Sequence, residues 1–163
     1  MDEDMIEKAE VYAARRGRRV AGRLGFGIHG MVFVIEGNVE CGASAVKINE
    51  NREPFLRERD VYERLSERGV VEVRGFTVPQ MIGWDDELLA IEMTMVKPPF
   101  VLDFAGAYLD WPPTFSEEIW EERLSKWRDE FGADWPTVQT ILSELEDLGI
   151  HMLDPSPANI RFR

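Results

Sequence analysis

Gly25-Phe26-Gly27-Ile28-His29-Gly30 runs straight into Met31-Val32-Phe33-Val34-Ile35, and 17 residues beyond Gly30 stands Lys47, in Ala45-Val46-Lys47-Ile48. A Gly-x-Gly-x-x-Gly run that opens a helix marks a dinucleotide-binding fold. Here β-branched and aromatic residues follow, so the run is a turn between two strands. Backbone without Cβ atoms can fold closely over an anion and offer it N–H groups. Lys47 has apolar neighbours on both sides, and burying its ammonium is costly unless a negative group meets it. A phosphate and a nearby carboxylate would both serve. The alternatives are a plain glycine-rich hairpin and a lysine on a solvent-facing edge.

Outward from this stretch, residues 4–16 read as a short amphipathic helix, with Met5, Ile6, Ala9 and Tyr12 on one stripe and Gly17 as its stop. Residues 18–48 hold three β segments with glycine-bearing connections, including a turn at Gly37-Asn38, and form an antiparallel meander. Arg52 to Arg68 is helical, since Phe55, Leu56, Val61, Tyr62 and Leu65 recur at three- and four-residue spacing. Phe76 to Trp84 and Leu88 to Val96 make a hairpin around Asp85-Asp86-Glu87. Proline pairs in KPPF and DWPPTF then bracket Val101 to Leu109. Ser116 opens a helix with Ile119, Trp120, Leu124, Trp127 and Phe131 on its apolar stripe. A second helix runs from about Pro136 to Leu148, with Asp134 as its cap. The tail GIHMLDPSPANIRFR is an apolar run, a proline-studded loop and a last strand-like piece.

The Gly25-x-Gly27-x-x-Gly30-x-Val32 run followed by Ala45-Val46-Lys47-Ile48 resembles the glycine-rich loop and strand lysine of the protein-kinase-like fold. The resemblance implies an α+β fold with an antiparallel five-stranded β lobe, one helix and a shortened helical lobe. The corresponding spans are an N-terminal helix (1–17), a β-rich lobe (18–96) and a helical lobe (97–163). It implies an ATP site in which Gly25, Gly27 and Gly30 cover the phosphates, Val32 and Ala45 contact the nucleotide, and Lys47 meets the α/β-phosphates. A helix glutamate should pair with Lys47: Glu58 is chosen, with Glu53 and Glu63 as alternatives. Glu92, Met93 and Thr94, in LLAIEMTMV, resemble the strand and hinge that hold an adenine ring. Asp154 and Asn159, in Asp154-Pro155-Ser156-Pro157-Ala158-Asn159, match the catalytic loop, with Asp154 as base and Asn159 as a Mg²⁺ ligand.

Departures qualify the activity. His151 stands three residues before Asp154 instead of two and reads as a core or loop histidine, and Ser156 replaces a phosphate-directed lysine. Past Asn159 no Asp-Phe-Gly motif follows, so its metal-binding aspartate is expected to be lacking and Mg²⁺ weakly held. The reading is a nucleotide-binding, pseudokinase-like module with weak or no phosphoryl transfer. Its alternatives are an active minimal kinase acting on a protein or small-molecule hydroxyl, and a nucleotide-free interaction domain.

Composition sets the outer bounds. The 163 residues are 44% hydrophobic, too apolar for a disordered chain. The net charge of -12 disfavours nucleic-acid and polybasic membrane binding. The whole deficit lies after Lys47, while the basic residues of ARRGRRVAGR crowd the first glycine run. That cluster reads as a solvated helix end, with attraction for a polyphosphate as the alternative. A single cysteine, Cys41, the lack of an 18-residue apolar run and an acidic start without signal-peptide character point to a cytoplasmic protein. The tryptophans read as core, and any that stay uncovered on the lower lobe would favour a protein partner or a homodimer.

Overall fold

A computed structural model describes residues 2–27, 29–37 and 42–163. Ile28 of the glycine run, Asn38 of the Gly37-Asn38 turn, and Cys41 lie outside the described residues. The helix α1 (Asp2–Ala14) is followed by strands β1 (Arg19–Gly27), β2 (Gly30–Glu36) and β3 (Ala43–Asn49), then α2 (Arg52–Glu67). Next come β4 (Glu72–Val73), β5 (Phe76–Thr77), β6 (Met81–Asp85) and β7 (Ala90–Thr94). The rest comprises β8 (Val101–Leu102), β9 (Ala107–Leu109), α3 (Glu117–Phe131), α4 (Trp135–Asp147), β10 (Ile150–Met152) and β11 (Ile160–Arg161).

Five antiparallel strands form the main sheet in the order β1-β2-β3-β7-β6. Strand side chains alternate between faces, so β3 sends Val46 and Ile48 one way and Ala45 and Lys47 the other. The first set packs with Met31, Phe33 and Ile35 beneath Met5, Ala9 and Tyr12 of α1. The second set faces α2 and the lower half of the molecule. There Phe55, Val61, Tyr62 and Leu65 join Phe104, Trp127, Ile141 and Leu145 in one apolar cluster. Tyr62 and Phe104 meet edge to face, with ring centroids 5.6 Å apart.

Several boundaries differ from the sequence expectation. Ile6 is 39% exposed, and Ala13 completes the buried stripe of α1 instead. Phe76 does not begin the hairpin. Pro79 cannot donate to a ladder, and Phe76-Thr77 pairs separately with β4 and β8. On α3, Ser116 Oγ accepts the Ile119 N–H at 3.4 Å, but Ile119 itself is 42% exposed. Asp134 makes no side-chain cap, because a 3₁₀ turn over Gly132–Asp134 gives it helical backbone. Trp127, Phe131 and Trp135 are buried, whereas Trp111 is 89% exposed.

Candidate functional site

Two adjoining cavities lie between the sheet and the lower half. The inner one, about 170 Å³, is bordered by Leu24, Val32, Ala45, Met93 and Met95, with Lys47 and Glu58 at its back. The outer one, about 350 Å³, opens beneath Gly25, Gly27 and Gly30 and reaches Lys47, Asp103, Asp154 and Asn159. Gly30 is required where it stands: a Cβ there would collide with the Ile48 carbonyl of the neighbouring strand.

Lys47 Nζ donates to Glu58 Oε2 at 2.6 Å, and both residues are buried. Helical spacing makes this meeting possible. Glu58 falls on the buried stripe of α2 with Phe55, Tyr62 and Leu65. Glu53 instead pairs with Arg57, and Glu63 lies beside Arg59, on the outer faces of the helix. Burial alone would lower the Lys47 pKa, but the carboxylates of Glu58 and Asp103 outweigh it and hold the ammonium above its ordinary value. Burial, then Asp103, pushes the Glu58 carboxyl up, against the pull of Lys47. The short contact is that of an ionised pair, and Glu58 Oε1 has no hydrogen-bond partner among the described residues.

Asp103 was not singled out from the sequence. It directly follows β8 in Asp103-Phe104-Ala105-Gly106, ahead of α3 and α4, whereas the sequence reading looks for an acidic residue only past Asn159. The tertiary structure pairs β8 antiparallel with β11. The Asp103 N–H donates to the Asn159 carbonyl at 2.8 Å, so the two residues are next to each other in space. The tertiary structure therefore sets an aspartate from an earlier segment beside Asn159, which the sequence order did not suggest. The signal was the short Asp-Phe-Ala-Gly run itself.

The loop that carries Asn159 holds itself in shape. Asn159 Oδ1 accepts the Ser156 N–H at 2.7 Å, and Nδ2 donates to the Asp154 carbonyl at 3.2 Å. The Asp154 carboxylate is largely exposed and lies 3.5 Å from Lys126 of α3. His151 is half-buried on β10, opposite Tyr108.

One expectation is placed elsewhere. Glu92 does not face the cleft. Strand parity turns it to the α1 side, where Tyr12 Oη, Arg18 Nη1 and Ser44 Oγ donate to it at 3.1, 2.5 and 2.6 Å. Met93 and Thr94 do border the inner cavity. Most arginines after α1 stay exposed, as a solvated end would, yet several are paired. Arg15 pairs with Asp85 and Glu87, Arg16 stacks on Tyr12 with 3.6 Å to the ring centroid, and Arg18 holds Glu92.

A five-stranded antiparallel sheet, one helix whose glutamate meets a strand lysine, and a glycine turn roofing their cleft now stand together. The fold is protein-kinase-like. No family model matches the chain, and no curated protein matches it. Among solved structures it is similar to the kinase domain of PknI from Mycobacterium tuberculosis, at 19% identity over 88% of this chain and 54% of that one, with a TM-score of 0.39. A double mutant of that domain gives 20% identity, the same coverage and a TM-score of 0.46. The chain thus spans about half the length of those kinase domains. Among the described residues, no helix of this kinase-like chain is long and apolar enough to cross a membrane.

Proposed function

We propose that the cleft binds a nucleoside triphosphate and supports transfer of its terminal phosphoryl group to a hydroxyl. The observation that carries this reading is the convergence of Lys47, Asp103 and Asn159, from three separate stretches of the chain, on one cavity under the glycine turn. The purine would lie between Val32, Ala45 and Met93, and the phosphates would extend toward Lys47.

The residues present suit a divalent cation. Asp103 gives one oxygen to the Ala105 N–H at 3.0 Å and keeps the other. The Asn159 amide oxygen accepts one hydrogen bond and has a second lone pair. Hard oxygen donors in small number, completed by phosphate oxygens, are what Mg²⁺ takes. When bound, such an ion neutralises charge on the phosphates. Asp103 and Asn159 would hold it, Lys47 would orient the phosphates, and Asp154 would accept the proton of the attacking hydroxyl. The resting contact of Asp154 with Lys126 favours a second reading, in which the nucleotide is held without turnover.

The test is a thermal shift with ATP, with and without Mg²⁺, alongside ADP formation in the presence of serine- and threonine-bearing peptides and small alcohols as acceptors. At 100 times Kd the ligand should stabilise the chain by about 2.7 kcal/mol. Asp103→Asn should abolish the Mg²⁺ dependence and lower turnover about 10²–10³-fold. Asp154→Asn should stop turnover while sparing the shift. No shift at millimolar ATP would refute nucleotide binding. A shift without ADP formation would leave only the second reading.

A further inference from the structure

We infer that His29 touches the terminal phosphates of the bound nucleotide and takes up a proton as they enter, so that binding is proton-coupled. This rests on the nucleotide reading above.

His29 occupies the turn between β1 and β2 and lines the outer cavity with Lys47 and Asp154. Its ring crosses to the far wall, where Nε2 stands 3.9 Å from the position a Cβ on Gly106 would take. Its backbone is fastened: the Glu50 N–H donates to the His29 carbonyl at 3.1 Å, tying the tip of the turn to the end of β3. The imidazole is thus aimed across the mouth through which phosphates must pass.

The surrounding charges set its protonation. Burial comes first, followed by Lys47 on β3 and Arg57 on α2, and together they hold the imidazole below its ordinary value; Glu50 acts weakly the other way. Asp103, Asp154 and Arg161 border the same cavity from the lower half. In the empty cleft the ring is therefore neutral near pH 7. A polyphosphate brings several negative charges to within reach and offsets the two cations, so a proton drawn from solvent becomes favourable. By linkage, affinity then rises as pH falls between the bound and free pKa values, about tenfold per unit of difference.

The experiment is calorimetric titration of the whole chain with ATP in EDTA from pH 5.5 to 8.5. It is repeated in two buffers of different ionisation enthalpy, for the natural chain, His29→Gln and His29→Lys. The ionisation of ATP itself is common to all three, so the ratio of affinities reports the residue. The natural chain should gain affinity over His29→Gln as pH falls and show extra proton uptake. His29→Lys, permanently charged, should keep its advantage over His29→Gln at every pH. Equal pH profiles and equal proton uptake in the natural chain and His29→Gln would overturn the inference while leaving nucleotide binding standing. No binding by the natural chain at any pH, in EDTA or with Mg²⁺ restored, would instead overturn the nucleotide reading.

Discussion

At the scale of single residues, the Lys47–Glu58 pair decides most. Both groups are buried, so each is tolerable only because the other is present. Lys47→Met alone would strand the Glu58 carboxylate and should cost about 3–5 kcal/mol. Adding Glu58→Gln should recover most of that loss, because no charge is then left without its partner. Urea unfolding of the two single variants and the double variant measures this coupling. Simple additivity would show that the pair is not an energetic unit. The lysine was legible, since a cation inside an apolar run needs an answer. Its partner was chosen as Glu58 from its place before the apolar Val61, Tyr62 and Leu65, and only the inward face of α2 set Glu53 and Glu63 aside. Glu92 shows the opposite case. Its place next to Met93 suggested the cleft, but adjacent strand residues face opposite ways.

At the scale of elements, α1 is the component whose role the sequence understated. Its helix was readable from spacing, yet its function as a cover for the outer sheet face depends on Tyr12, Arg16 and Arg18 meeting buried Glu92. Arg18 also donates to the Ile35 carbonyl at 2.9 Å, fixing the chain between helix and strand. Arg18→Met should destabilise the fold by about 2–3 kcal/mol, since Glu92 would keep only part of its compensation. Arg15→Ala, which breaks a solvent-screened surface pair, should cost far less. Comparable losses for the two variants in chemical denaturation would contradict this account. A similar tie joins α2 to the lower half, where Arg64 reaches Asp110 and the Leu148 carbonyl.

At the scale of the whole molecule, acid should unfold the protein through identifiable groups. Burial would raise the Asp85 pKa, but the Leu88 and Glu87 N–H groups and Arg15 outweigh it and hold it below 3.8. Asp110 is held low by its hydrogen bonds with Arg64. A carboxylate with a depressed folded pKa favours folding above its unfolded value, and that contribution is lost as pH falls through the folded value. His29, depressed below 6.5, acts with the same sign at a higher pH. Urea midpoints should therefore begin to fall below pH 6.5 and drop more steeply below 3.8. A midpoint flat from pH 7 to 3 would show that these groups do not couple to folding.

What the linear chain determined by itself is local. A glycine turn between strands, a lysine in an apolar strand and helices with one buried stripe all follow from residue spacing, because side-chain direction repeats every two or 3.6 residues. The tertiary structure alone decided which groups share the cleft. Asp103 and Asn159 lie far apart in sequence and become neighbours only through the pairing of β8 with β11. A short strand carries no spacing signal naming its partner; the choice comes from the packing of the apolar cluster around Phe104 and Ile160.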